Sequence, residues 1–583
     1  MPRATSTETP GSFPRLVARV TVAATVVVSC GLGAAAIAGT SAYAAPTPAP
    51  QDTVTATVEP GDPSASPSVS PSPTDSPSTP PPPTPTPRPT PTPTPTSSSP
   101  SPQPSVSASS SPVTTAPRPP AVAEAEPNPT SWLIALAVLL VAAVAVLLLV
   151  RRPVTDEPVP NALLPTQLSE VGARGGTAAR LDSLEAIGEA MLDAGYSVTG
   201  VRSALEDVAT VNGYPATDVV VLPNALFVSA RGVDEVSTGA VASGHRPPLM
   251  MNQIDALDDV VKKARTAPYD AAATAAAVAE ARSLPPTYSP VQRVVAHALV
   301  SGSLAVLLGS SWTGVPLAMG LGVVVGIGLL LTAHVSRAQE ALVTVGAAFV
   351  VSATVFGVSG TGVDGGVLAA LLAPLAIFLP GGLLTTGVIE LATGQMMSGA
   401  GRVAGGFMQL VLLATGVVAG ATLVGIPAIT FADPPNPIGP VGPWLAVGVF
   451  GVSMVIYRCG RAASIPWVLL VMYVAYGAQV IGAIFFGGVL SAMIGAFAMT
   501  PVAYLVSTRP TGPAAFTSFL PAFWMLVPGA VGLVGVASLM GGDSAGLNTI
   551  GTMAATMVGI ALGILAGSMV GAMLAGRETA VAV

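Results

Sequence analysis

The chain has 583 residues, of which 51% are hydrophobic and only 9% charged, and its mean hydropathy is +0.67. Soluble domains carry about 25% charged residues, so this composition argues against a water-soluble protein; the net charge of −7 comes largely from the region before Val291 and says little about nucleic acid, which is not an expected partner. Two cysteines, Cys30 and Cys459, are too few for a disulfide framework or a zinc site, and neither a metal nor a cofactor is expected.

Residues 1–45 read as a signal peptide. Arg3, Arg15 and Arg19 precede an apolar stretch from Val20 to Ala38, and Ala42-Tyr43-Ala44 supplies a small-x-small cleavage pattern. An uncleaved signal anchor is the alternative. Residues 46–130 are about one-third proline, with Ser and Thr between, which blocks helices and sheet ladders alike. They are expected to be a disordered extracytoplasmic stalk, free to contact a cell wall. Residues 131–150 form a predicted transmembrane helix. Its uncharged run from Trp132 to Val150 ends at Arg151-Arg152, the mark of a cytoplasmic end.

Residues 165–288 regain charge and lose the long apolar runs. Leu181, Leu184, Ile187, Ala190, Met191 and Ala194 recur at helical spacing, with Gly195 as a stop, and a second helix fits Val198–Val211. Val219–Leu222 and Ala225–Val228 read as strands around a Pro223-Asn224 turn. Helices over Gln253–Arg265 and Asp270–Ser283 complete a predicted small cytoplasmic α+β domain. It has no phosphate loop and no catalytic triad, so no enzyme is expected. His245-Arg246 is a polar pair that reads as a solvated loop.

From Val291 to Val583 there are seven arginines, no lysine and six acids, leaving apolar runs of the length a bilayer demands. Ten spans are predicted near 291–309, 314–333, 341–360, 366–391, 403–426, 443–457, 464–481, 483–506, 516–540 and 547–575. With residue 290 inside, the inner loops hold His334, Arg337, Arg402, Arg458, Arg461, Arg509 and Arg577. The outer loops hold Asp364, Asp433 and Asp543, as the positive-inside rule requires.

Two stretches, Leu379–Leu391 and Val527–Leu539, lie 148 residues apart and agree at five of thirteen positions. They fall in the fourth and ninth spans. An offset of five spans puts them in opposite orientations and predicts inverted five-helix repeats over 289–428 and 440–576. Each begins with a helix breaker, Pro380-Gly381-Gly382 in one and Pro528-Gly529 in the other. Broken helices free backbone groups that a ligand can satisfy, although a plain kink is the simpler reading. Glu390 is the one acid placed within a span, and it suits a proton or a substrate ammonium unless it is an interfacial carboxylate. Arg402 is either its partner or a positive-inside anchor.

A cytoplasmic domain, then five spans with a Leu-Pro-Gly break, Glu390-Leu391, Gly394, Gly399 and Arg402, then five spans with Leu526-Val527-Pro528-Gly529, resembles the bacterial threonine/serine exporter family. Leu181 through Gly195-Tyr196, Val201-Arg202 and Val306–Gly309 with Trp312 resemble it too. The resemblance covers roughly 170–575 and rests on the order of motifs, none specific alone. It implies a membrane all-α fold with a ten-helix core, and export of threonine and serine driven by protons. Family members often carry Asp at the position of Glu390. Export of small dicarboxylates and a non-transporting envelope anchor or sensor are the alternatives. Lipid is the expected surrounding, the cell membrane the expected site, and homo-oligomerisation is open to the chain.

Overall fold

The computed structural model describes residues 177–213, 217–231, 236–242, 248–266, 270–333, 335–360, 366–425, 438–526, 528–542 and 544–574, and parts of a helix within 133–144. The predicted signal, the stalk, Arg151-Arg152, His245-Arg246, His334, Asp364, Asp433, Asp543 and Arg577 lie outside the described residues.

Ahead of the apolar region, helices α1 (Thr177–Ala194) and α2 (Val198–Val211) precede strands β1 (Thr217–Leu222), β2 (Ala225–Arg231) and β3 (Val236–Ala242). Helices α3 (Met251–Thr266) and α4 (Ala271–Ser283) follow. The strands form one antiparallel sheet in the order β1-β2-β3. Its first hairpin turns at Pro223-Asn224, pairing Leu222 with Ala225. The expected two strands are therefore joined by a third, in which Gly239, Ala240 and Ala242 dilute the strand preference of Val236, Thr238 and Val241. Caps set the helix starts: Ser197 accepts from Gly200 N–H, and Asp270 accepts from Ala272 N–H. Leu181, Leu184, Ile187 and Leu205 pack with Leu226 and Val228 in a core separate from the larger apolar one.

The apolar region comprises α5 (Pro290–Leu307), α6 (Gly314–Leu331), α7 (Arg337–Ser359), α8 (Val367–Leu375), α9 (Gly381–Ala392), α10 (Met396–Val424) and α11 (Gly442–Tyr457). It continues with α12 (Ile465–Phe486), α13 (Gly488–Ser507), α14 (Ala515–Leu526), α15 (Pro528–Met540) and α16 (Gly546–Leu574). Among the described residues eight helices are long and apolar enough to cross a membrane, or up to nine if the bent pair α8–α9 is one span. Helix α11 is apolar but, at 16 residues, falls short of that length.

Close helix contacts recur at an interval of 147–148 residues. A Cβ on Gly416 of α10 would meet Val345 O at 2.4 Å, and one on Gly563 of α16 would meet Met493 O at 2.4 Å. Gly399 lies against Gly387 O and Leu391 N, as Gly546 lies against Gly535 O and Leu539 N. These glycines let backbones approach where side-chain bulk would separate them, the usual basis of helix association in lipid.

A methyl group at Gly420 would sit 1.9 Å from Ser352 Oγ and 2.8 Å from Ala353 N. Gly420→Ala is expected to lower stability by roughly 1–3 kcal/mol, read as a drop in the melting temperature of the detergent-purified protein. Gly401→Ala, with nothing within 4 Å, is the control and should leave it unchanged or raised.

Candidate functional site

The chain between α8 and α9 leaves helical geometry in steps. Pro374 sits inside α8, Ala376–Phe378 tightens to a 3-10 turn, and Leu379 is extended. The two helical pieces, Leu368–Phe378 and Gly381–Ala392, meet at 64°. Proline at 380 cannot donate to the preceding turn, so carbonyls there need other donors. Gln409 Nε2 of α10 supplies one, donating to Phe378 O at 2.8 Å. The second breaker, Pro528, opens α15 after α14, which carries an internal Pro521.

The two breaks touch. A Cβ on Gly529 would lie 3.2 Å from Gly381 N and 3.1 Å from Leu379 Cβ, while one on Gly382 would lie 3.7 Å from Phe523 of α14. Pro380 and Gly381 are buried, and so is Gly529. Any side chain at 529 would push the breaks apart, so glycine there is needed for close approach rather than for turn geometry. Thr385, one helical turn beyond Gly381, is 1% exposed, and its hydroxyl has no hydrogen-bond partner among the described residues. Gln479 of α12 also buries a carbonyl oxygen without a partner.

Glu390 and Arg402 lie elsewhere. Nine residues of helix, about 14 Å, separate Gly381 from Glu390 at the far end of α9. Its carboxylate is fully buried and fully engaged. Oε1 accepts Val198 N–H at 3.0 Å, and Oε2 accepts the Ser398 hydroxyl at 2.6 Å. Arg402 Nε stands 3.1 Å from Oε2, close enough for an ion pair but at an angle that makes no hydrogen bond. Arg402 also donates through Nη2 to Tyr196 O at 3.3 Å. Val198 is the first residue of α2, so the carboxylate caps a helix N-terminus, where free amides and the helix dipole favour negative charge. The predicted site residues therefore fall into two groups. Pro380, Gly381, Gly382 and Gly529 meet at the breaks with the backbone of Pro528 beside them, whereas Glu390 and Arg402 join α9–α10 to the sheet-containing unit.

A second joint mirrors the first. Asp255 of α3, 1% exposed, accepts Ala514 N–H at 3.0 Å and pairs with Arg461 Nε at 3.0 Å. Tyr196 stacks on Phe516 with ring centroids 4.8 Å apart, and Met251 N–H donates to Arg458 O at 2.9 Å. Each unit thus sends one carboxylate to a backbone amide of the other. The sequence offered no sign of Asp255 or Ser398, since both are ordinary polar positions on their own helices. Only the pairing of Arg461 with an acid was open to a charge-based search.

Glu390 and Arg402 both fall within the stretch that the family comparison matches. Residues 182–424, less than half of the chain, match the family model described as "Putative threonine/serine exporter". Over that stretch the chain is similar to this family's model, and it is a multi-pass membrane protein by its apolar helices and its similarity to the membrane proteins that follow. Two curated relatives from two strains of Candida albicans are titled "Pheromone-regulated membrane protein 10". Each is 27% identical over 266 residues, covering 42% of this chain and 23% of the relative. The chain therefore spans about a quarter of those relatives' length. No solved structure matches.

Two outcomes follow from the joints. Glu390→Ala strands the Arg402 charge in a buried site, a loss of about 3–5 kcal/mol for a broken buried pair. Amide exchange at Val198–Gly200 should accelerate accordingly, and unchanged exchange there would contradict the joint. At the other joint, burial pushes the Asp255 carboxyl up from 3.8, with Arg461 and the Ala514 amide opposing it. The folded state then binds this proton more tightly than the unfolded chain. That contribution is complete below the unfolded value and is lost as pH rises through the folded one. Comparing melting temperature against pH for the native chain and Asp255→Asn should show this falling component only in the native chain.

Proposed function

We propose that the chain exports small amino acids, threonine and serine, from the cytoplasm in exchange for protons. The meeting of the Gly381 and Gly529 breaks in the apolar core carries this reading. Interrupted helices can offer backbone amides and carbonyls to a ligand, and where two such breaks meet, a zwitterion has a carboxylate and an ammonium to match them. In this reading the core is ten spans in two inverted halves, with α8–α9 counted as one span and α14–α15 as its counterpart. The recurrence of Gly387/Gly399 as Gly535/Gly546 and of Gly416 as Gly563 supports a repeat. The sheet-containing unit lies in the cytoplasm, at the end of the core that bears Arg402, Arg458 and Arg461.

Glu390 is the coupling carboxylate. Protonating it removes the charge that faces Arg402 and caps α2, so the α9–α10 end is freed from the sheet-containing unit each time a proton arrives. Alternating access then follows from movement of α9 about its break, some nine residues away. One proton crossing 100 mV yields about 2.3 kcal/mol, enough for roughly a 50-fold gradient of a neutral solute.

The test is efflux of labelled threonine and serine, with a labelled dicarboxylate in parallel, from vesicles carrying the full chain. Threonine efflux should depend on the proton gradient and lose that dependence in Glu390→Gln. Gly529→Val should cut it at least tenfold at equal protein level. Efflux that ignores both the gradient and Glu390→Gln would sink the mechanism, and dicarboxylate efflux without threonine efflux would replace the substrate.

A further inference from the structure

Away from the breaks and the two joints, two arginines and a histidine cluster with no ion pair to an acid among the described residues. Arg293 and His297 stand one helical turn apart on α5, and therefore on one face. The His297 ring lies 5.0 Å from that of Tyr457, the last residue of α11, and Arg458 follows directly. His297 is 1% exposed, and neither ring nitrogen has a hydrogen-bond partner among the described residues. The Nε atoms of Arg293 and Arg458 are likewise buried and unpartnered. Arg458 gives only one weak bond, from Nη2 to Leu249 O at 3.3 Å. No ion pair to Arg293 or Arg458 is present among the described residues, although Arg402 and Arg461 nearby each have a carboxylate. Burial lowers the hold of Arg458 on its proton; Tyr457 and Cys459 oppose this, and Arg293 beside it adds to it.

Buried donors without acceptors are costly, and a half-buried pair of arginines with no acid beside it suits an anion from outside the chain. Arg293 and Arg458 are themselves only half-buried, which leaves the group open at one edge. Basic pockets between spans on one side of a membrane hold phosphate headgroups in this way. We propose that Arg293, His297 and Arg458 form a binding site for an anionic phosphate, either the headgroup of an acidic phospholipid between α5 and α11 or free phosphate. The site is independent of the transport reading.

The full chain in neutral detergent would be titrated with phosphatidylglycerol, with phosphatidylcholine, and with inorganic phosphate, reading its melting temperature. Phosphatidylglycerol near saturation should raise it by about 2–6 °C and phosphatidylcholine should not. Inorganic phosphate raising it equally would assign the site to the free anion. Arg293→Gln should remove most of the shift, and Arg293→Lys should keep it. The Arg293 side chain makes no hydrogen bond among the described residues, so this variant is expected to fold even if Arg458→Gln does not. No shift with either anion, or an undiminished shift in Arg293→Gln, would overturn the site.

Discussion

In hydrocarbon a backbone amide or carbonyl cannot turn to water, so a helix may break only where protein or ligand meets the freed groups. This constraint organises the apolar core. The break at Pro380 survives because Gln409 reaches Phe378 O and because the break at Pro528 packs directly against it. The close approach in turn favours glycine at 529, where a Cβ would lie 3.2 Å from Gly381 N. Small residues then propagate along α9–α10 and α15–α16, where Gly399 and Gly546 occupy equivalent places against Gly387 and Gly535. One local defect in hydrogen bonding thus dictates where the helices can touch.

The polar chemistry obeys a related rule at the other end of α9. A fully buried carboxylate needs both charge and hydrogen-bond partners. Glu390 takes its partners from three places: Ser398 and Arg402 on α10, and the amide of Val198 across the interface. Asp255 solves the same problem in reverse, reaching from α3 to Ala514 and Arg461. Because the two carboxylates belong to different units, neither joint can open without leaving a charge or a helix end unsatisfied. The sheet-containing unit is held to the core by these two buried carboxylates, by the Tyr196–Phe516 stack and by backbone bonds such as Met251 N–H to Arg458 O.

Much of this architecture was legible before any coordinates. The α2 helix follows from Val198–Val211 spacing, the β1–β2 turn from Pro223-Asn224, and the helix breaks from Pro-Gly pairs, since each depends on neighbours within a few residues. Strand β3 was not legible, because Val236–Ala242 becomes a strand only by pairing with β2. Nor was the division of the site residues. Glu390 and the Pro380–Gly382 break read as one neighbourhood when a span is taken as a single segment, yet α9 carries them to opposite ends.

The sequence by itself determined what local sterics and hydropathy control: which segments are apolar helices, where they break, and which acid is buried among them. Tertiary structure alone decided what those features meet. Val198 lies 192 residues from Glu390, and Ala514 lies 259 from Asp255, separations at which no periodicity carries information. A buried charge announces that it needs a partner, but only the folded chain brings one within 3 Å.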